Sequence, residues 1–211
     1  MKSEYEVKRV TKLYDSCDKC GLPTINCICN KVNKIKSQSK ILILSTEREF
    51  YRPSNTARLL KLINSDSTEI FLWERTKKPE KLIEYIKDDR YSTFLLFPAE
   101  DEESKKRKIE YLDTDKIPAF IIIDGTWKEA RKIFRKSDYL KELPIISLEL
   151  NYRSEFNIRK GNAEGNLCTV ETAIEVLKLN GETENSLAVK DLYKLFLRSF
   201  KAGISGHKLK E

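Results

Sequence analysis

From residue 40 onward the chain repeats one device, a short unbroken apolar run followed by an amphipathic stretch. The runs are KILILS (40–45), TEIFLW (68–73), STFLLFP (92–98), AFIIID (119–124) and PIISLEL (144–150). Apart from the alternating end of the last, they run continuously apolar, unlike a strand with one wet face, which suggests strands covered on both faces. Patterns of helical period lie between them, at 55–63, 80–87, 126–140, 169–179 and 187–200. Strands alternating with helices predict an α/β domain with a mainly parallel sheet flanked by helices.

Residues 1–39 differ in character and read as a small N-terminal segment ahead of an α/β domain over 40–211. This segment carries eight Lys/Arg against four Asp/Glu and predicts no long strand or helix. Its distinctive stretch, CDKCGLPTINCIC, sets Cys17, Cys20, Cys27 and Cys29 at C-x2-C-x6-C-x-C. Two close pairs joined by a short loop containing Gly21 and Pro23 can wrap four thiolates around one tetrahedral Zn²⁺. The N-terminus lacks an apolar signal core and no run is long enough to span a bilayer, so the chain reads as cytoplasmic, with no membrane association. Thiols stay reduced in that compartment, which favours structural zinc over disulfides, with incidental cysteines as the bland alternative. Cys168 reads as a small apolar residue at a helix start, and His207 as an ordinary tail residue. The net charge of +7 suits an anionic partner such as nucleic acid, or simply a lysine-rich surface.

In an open parallel sheet, ligands bind beyond the carboxyl ends of the strands. The first run leads into RPSNTARL (52–59), where Ser54 or Asn55 can cap a helix. Arg58 lies three residues after Asn55, on one helix face with it, which makes either a solvated surface or a phosphate contact. The fourth run leads into DGTWKEAR, where Thr126 and Glu129 form a capping box. Asp124 then either closes a strand or receives a polar ligand beside a helix start. Trp127 can pack against a flat ring or close the core. The last run leads into a long glycine-containing stretch, 151–173, which marks a functional or a disordered loop.

Taken in order, the cysteine pattern, RPSNTARL, LLFP, DGTWKEARKIF with LPIISL, IRKG and LCTVETA resemble the DTW-domain family, from Cys17 to about Leu179. Two departures are visible. Thr46 and Glu47 stand where the family usually has His-Pro, with Glu49 at the following acid, and Phe156 replaces the usual Tyr. The resemblance implies a SPOUT-like fold with a trefoil knot. It implies transfer of the 3-amino-3-carboxypropyl group from S-adenosylmethionine to N3 of a tRNA uridine, with no stable protein partner. Methylation of RNA, or RNA binding without catalysis, are the alternatives. By the same resemblance Asp124, Thr126 and Trp127 are catalytic, and Pro98, Asp124, Gly125, Leu167, Thr169 and Glu171 line the pocket for the co-substrate. Arg52, Asn55, Arg58, Arg159 and Lys160 then hold the tRNA, and Asp124 serves as general base or orienter.

Overall fold

The computed structural model describes residues 5–111, 114–148 and 167–210. Five strands form one parallel sheet in the order β2-β1-β4-β3-β5. They are β1 (Lys40–Thr46), β2 (Thr68–Trp73), β3 (Tyr91–Leu96), β4 (Ile117–Asp124) and β5 (Ile145–Ile146). The helices are α1 (Glu47–Tyr51), α2 (Ala57–Ile63), α3 (Glu80–Lys87), α4 (Glu102–Arg107), α5 (Trp127–Lys136), α6 (Thr169–Leu179) and α7 (Thr183–Ile204). The mainly parallel α/β sheet expected from the apolar runs is present, and every strand pairing is parallel. No helix among the described residues is long and apolar enough to cross a membrane.

The pleat explains why the runs are unbroken. Ile41, Ile43, Phe94, Phe120 and Ile122 point to one face, beneath α2, α6 and α7. Leu42, Leu44, Leu95, Ala119 and Ile121 point to the other, beneath α3 and α5 through Leu82 and Ile133. Each Ile, Leu or Phe among them, once buried, contributes about 1.5–3 kcal/mol before entropy is counted against it. Asp124 has the parity of Phe120 and Ile122, and Ser45 that of Ile41 and Ile43, so the strand tips put both polar groups on the α2/α6 face.

Several elements depart from expectation, among them α5, which stops at Lys136 with a separate turn over Asp138–Leu140 where the sequence pattern predicts one helix over 126–140. The run at 144–150 yields only two strand residues among those described, because β3, its partner, stops at Leu96. Pro98, just beyond, has no N–H with which to extend a ladder. The last helix begins at Thr183, four residues before its apolar pattern, because Thr183, Glu184 and Asn185 form a polar first turn. Helix α2 begins at Ala57 with Thr56 as its cap residue, rather than Ser54 or Asn55.

The cysteine segment packs onto the same core. Cys20, Leu22 and Ile28 are buried among residues of β1, α2, α6 and α7. Glu182, in the turn before α7, accepts hydrogen bonds from Ser37, Gln38, Ser39, Asn180 and Asn185, which ties the approach to β1 to the last two helices.

Candidate active site and zinc centre

Asp124 closes the central strand and lies opposite Ser45 in the register of β1 and β4. The Ser45 hydroxyl donates to its Oδ2 at 2.6 Å, the Asn55 amide to Oδ2 at 2.7 Å, and the Thr169 hydroxyl to Oδ1 at 2.6 Å. Four segments thus converge on a carboxylate that is only 5% exposed. A carboxylate offers about four lone-pair sites. Among the described residues three are filled, which leaves one on Oδ1 for a ligand donor. The second amide hydrogen of Asn55 goes to Glu49 Oε2 at 3.1 Å. Glu49 is fully buried and paired with Arg52. The start of α6 is pinned to the same cluster, because Val170 N–H donates to Thr56 Oγ1 at 3.3 Å.

Beyond Asp124 the capping box forms as expected. Thr126 N–H donates to Glu129 Oε2 at 2.8 Å, and Glu129 N–H donates to Thr126 Oγ1 at 3.4 Å. Burial works against ionisation of Glu129, yet hydrogen bonds from Thr126 hold its carboxyl below the ordinary value. At Gly125 an added Cβ would meet Glu129 Cβ at 3.1 Å, so any side chain there crowds the box. The Trp127 ring stacks on Phe97 at 5.5 Å between centroids and 16° between planes, and Arg131 lies over it at 5.1 Å. Phe97 continues the stack to Phe134 at 4.3 Å. Trp127 therefore joins the residue that follows β3 to α5, on the face of Leu95 and Ile133, and Pro98 next to Phe97 is half-buried.

The structure brings Asp124, Asn55 and Thr169 together, but not in the roles the resemblance assigns them all. Asn55 is buried, with both amide hydrogens donated inside the protein, so it positions Asp124 instead of holding an RNA phosphate. Arg58 turns inward and donates to the carbonyls of Asp18 (3.0 Å) and Phe50, joining the cysteine loop to α1. Arg52 is engaged by Glu49. Glu171 is 5% exposed and accepts from the N–H of Cys168 at 2.9 Å, which caps α6. Leu167 is half-buried just before that helix. Arg159 and Lys160 lie outside the described residues. Ser45 went unremarked in the sequence, although a hydroxyl closing an otherwise apolar run is the signal that would have found it.

At the cysteine segment the four Sγ atoms lie within 4.8 Å of one another. Neighbouring pairs are 3.5 Å (Cys17–Cys27), 3.7 Å (Cys17–Cys29) and 3.8 Å (Cys20–Cys27) apart. Tetrahedral zinc with Zn–S bonds of about 2.3 Å needs sulfurs about 3.8 Å apart, so the set fits that ion, and no ligand position stays open for chemistry. Burial pushes the Cys20 thiol up to about 12 and raises Cys29 as well, so these two groups would become thiolates only beside a cation. Gly21, at φ 79°, makes the turn, and an added Cβ would strike the Pro53 carbonyl oxygen at 2.6 Å. The cysteine loop thus rests on the RPSNTARL segment that feeds Asn55 to Asp124.

Comparisons with known proteins follow the same features. A family profile for the DTW domain matches residues 14–201. The chain is similar to tRNA-uridine aminocarboxypropyltransferase 2 of Drosophila melanogaster, at 28% identity over 204 residues, which covers 93% of this chain and 80% of that protein. No solved structure matches it significantly.

Proposed function

This chain belongs to the DTW domain family, and from that premise we propose that it is a cytoplasmic tRNA-modifying transferase. It moves the 3-amino-3-carboxypropyl group of S-adenosylmethionine to N3 of a tRNA uridine and releases methylthioadenosine. The observation that carries this reading is the Asp124 carboxylate, fixed at the carboxyl end of the central strand with one acceptor site left over. The name of the fly relative, a tRNA-uridine aminocarboxypropyltransferase, supports the same reaction. The SPOUT-like knotted fold belongs to the proposal too.

In this reaction one C–N bond forms as one C–S bond of the sulfonium breaks, and N3 gives up its proton. Asp124 receives the N3–H at its remaining Oδ1 site and so orients the nucleophile. Positioning selects the carbon attacked, since the methyl carbon of the same sulfonium would give methylation instead. Pro98, Gly125, Leu167 and Thr169 hold the co-substrate. Thr46 occupies the family's histidine place and its hydroxyl is buried without a partner among the described residues. No imidazole assists proton removal from that position, so the burden falls on Asp124.

The test is incubation with unmodified tRNA and S-adenosylmethionine, followed by mass spectrometry of nucleosides and by-product. Aminocarboxypropyluridine with methylthioadenosine is the expected outcome. S-adenosylhomocysteine would make the protein a methyltransferase. Bound tRNA with no modified uridine would make it a binding protein.

A further inference from the structure

A second feature of the molecule belongs to none of the chemistry above. A groove runs between the cysteine segment and the last helix, and none of its lining residues is part of the Asp124 cluster. Arg198 and Lys201 line it from α7, Lys208 and Lys210 from the tail beyond, and no Asp or Glu appears among its lining residues. All four cations are exposed. None is paired with a carboxylate among the described residues. The exposed Lys194 precedes Arg198 and Lys201 at helical spacing (i, i+4, i+7), so the basic stripe continues along α7 past the groove. The exposed Asp191 lies one turn earlier and does not line the groove.

The tail that carries Lys208 and Lys210 is tied down by the Asn26 side chain as well as by the His207 N–H, which donates to the Ala202 carbonyl. Asn26 is 5% exposed, donates from Nδ2 to the His207 carbonyl at 2.8 Å, and accepts from Leu209 N–H at Oδ1, also at 2.8 Å. Its Nδ2 also reaches the Ser199 carbonyl at 3.4 Å. One buried amide thus binds the tail backbone at two points and ties it to α7, which fixes two lysines on the groove rim. Asn26 directly precedes Cys27, so the zinc ligands and the tail share one anchor.

We propose that this groove is a docking surface for the phosphodiester backbone of the RNA substrate. The inference rests on the reading of this chain as a tRNA-modifying enzyme. A concave channel lined by cations from α7 and the tail fits a rod-like polyanion better than a flat bilayer, and four charges suit a chain of phosphates. The cysteine segment touches the groove on one side and, through Gly21 and Pro53, the loop that carries Asn55 to Asp124 on the other. RNA held in the groove is therefore held on the element that braces the reaction site.

The experiment uses the full chain and an unmodified tRNA transcript, with affinity measured from 50 to 200 mM salt. The variant combines Arg198→Gln, Lys201→Gln, Lys208→Gln and Lys210→Gln, and a tail-only Lys208→Gln/Lys210→Gln variant accompanies it. Wild type should bind with a steep log–log salt dependence. The fourfold variant should bind at least 10-fold more weakly, with a slope reduced by about 2 to 4, at about 0.9 per lost phosphate contact. The tail-only variant should fall between the two. Unchanged affinity and slope in the fourfold variant, with its melting temperature intact, overturn the groove while leaving the transferase reading standing. Groove-dependent tRNA binding without any transfer overturns the transferase reading and supports the groove. Tighter binding to anionic phospholipid vesicles than to tRNA, lost in the variant, overturns the RNA assignment.

Discussion

At the scale of single residues, Asp124 is an acceptor for hydroxyl and amide donors drawn from three other segments. Asp124→Asn sets an NH₂ group against those donors and leaves at least one of them unpaired in a buried place, at about 1–3 kcal/mol. Transfer to tRNA is expected to fall at least ~100-fold. The melting temperature should drop by roughly 4–8 °C at this chain length. Wild-type turnover in that variant would contradict the orienting role. Arg58 carries a different prediction, because its guanidinium is spent on the Asp18 and Phe50 carbonyls. Arg58→Ala should destabilise the fold by about 2–3 kcal/mol, and Arg58→Lys should not restore it, since one ammonium cannot reproduce the planar fork. A variant with native stability and only weaker RNA binding would return Arg58 to the surface role its motif suggested. The acid, the indole and the capping box of DGTW were legible in the sequence as residues. That Asn55 and Arg58 face inward was not, because i, i+3 spacing fixes a shared helix face without saying which way that face looks.

Among elements, the sheet was the most legible part, because a run buried on both faces leaves an unbroken apolar mark. Short pieces with no periodicity left none, so α1, five residues long, went unforeseen. The turn between α6 and α7 was equally silent, although it holds the buried Glu182. Burial disfavours the ionised form there, but hydrogen bonds from Ser39, Asn185 and Ser37 outweigh it and hold the carboxyl below its ordinary range. A depressed folded value means this stabilisation is complete above the unfolded pKa of about 4.3. It is lost as pH falls through the folded value. Glu182→Gln should therefore lower stability by about 2 kcal/mol at pH 7. The gap to wild type should narrow below about pH 4, as the native carboxyl takes up its proton. Urea unfolding at pH 7 and pH 3 measures both quantities. A gap of equal size at the two values would mean that the charge of Glu182 contributes nothing.

For the whole molecule, the question is whether the cysteine segment is an appendage or part of the fold. Its metal-binding pattern was plain in the C-x2-C-x6-C-x-C spacing. Its attachment was not, because Leu22 and Ile28 are isolated apolar residues among polar neighbours and carry no period. Yet both are buried in the core shared by α2, α6 and α7, and Pro23 lies so close to Gly203 that an added Cβ there would sit 2.8 Å from its ring. Asn26 ties the same segment to the chain beyond α7, and Arg58 ties it to α1. A segment bound at so many points cannot unfold alone without exposing the core face of α7. Its four sulfurs lie within 4.8 Å of one another, a spacing that one tetrahedral cation would bridge. Removal of zinc with a strong chelator should therefore lower the melting temperature of the entire domain in one transition, by about 10 °C, as expected for a loss of at least ~3 kcal/mol. Cys27→Ser should reproduce the shift without chelator and reduce bound zinc, read by elemental analysis. If the metal can be stripped completely with no change in the melting curve, the segment is not held by zinc. The groove between the segment and α7 then needs another source of rigidity.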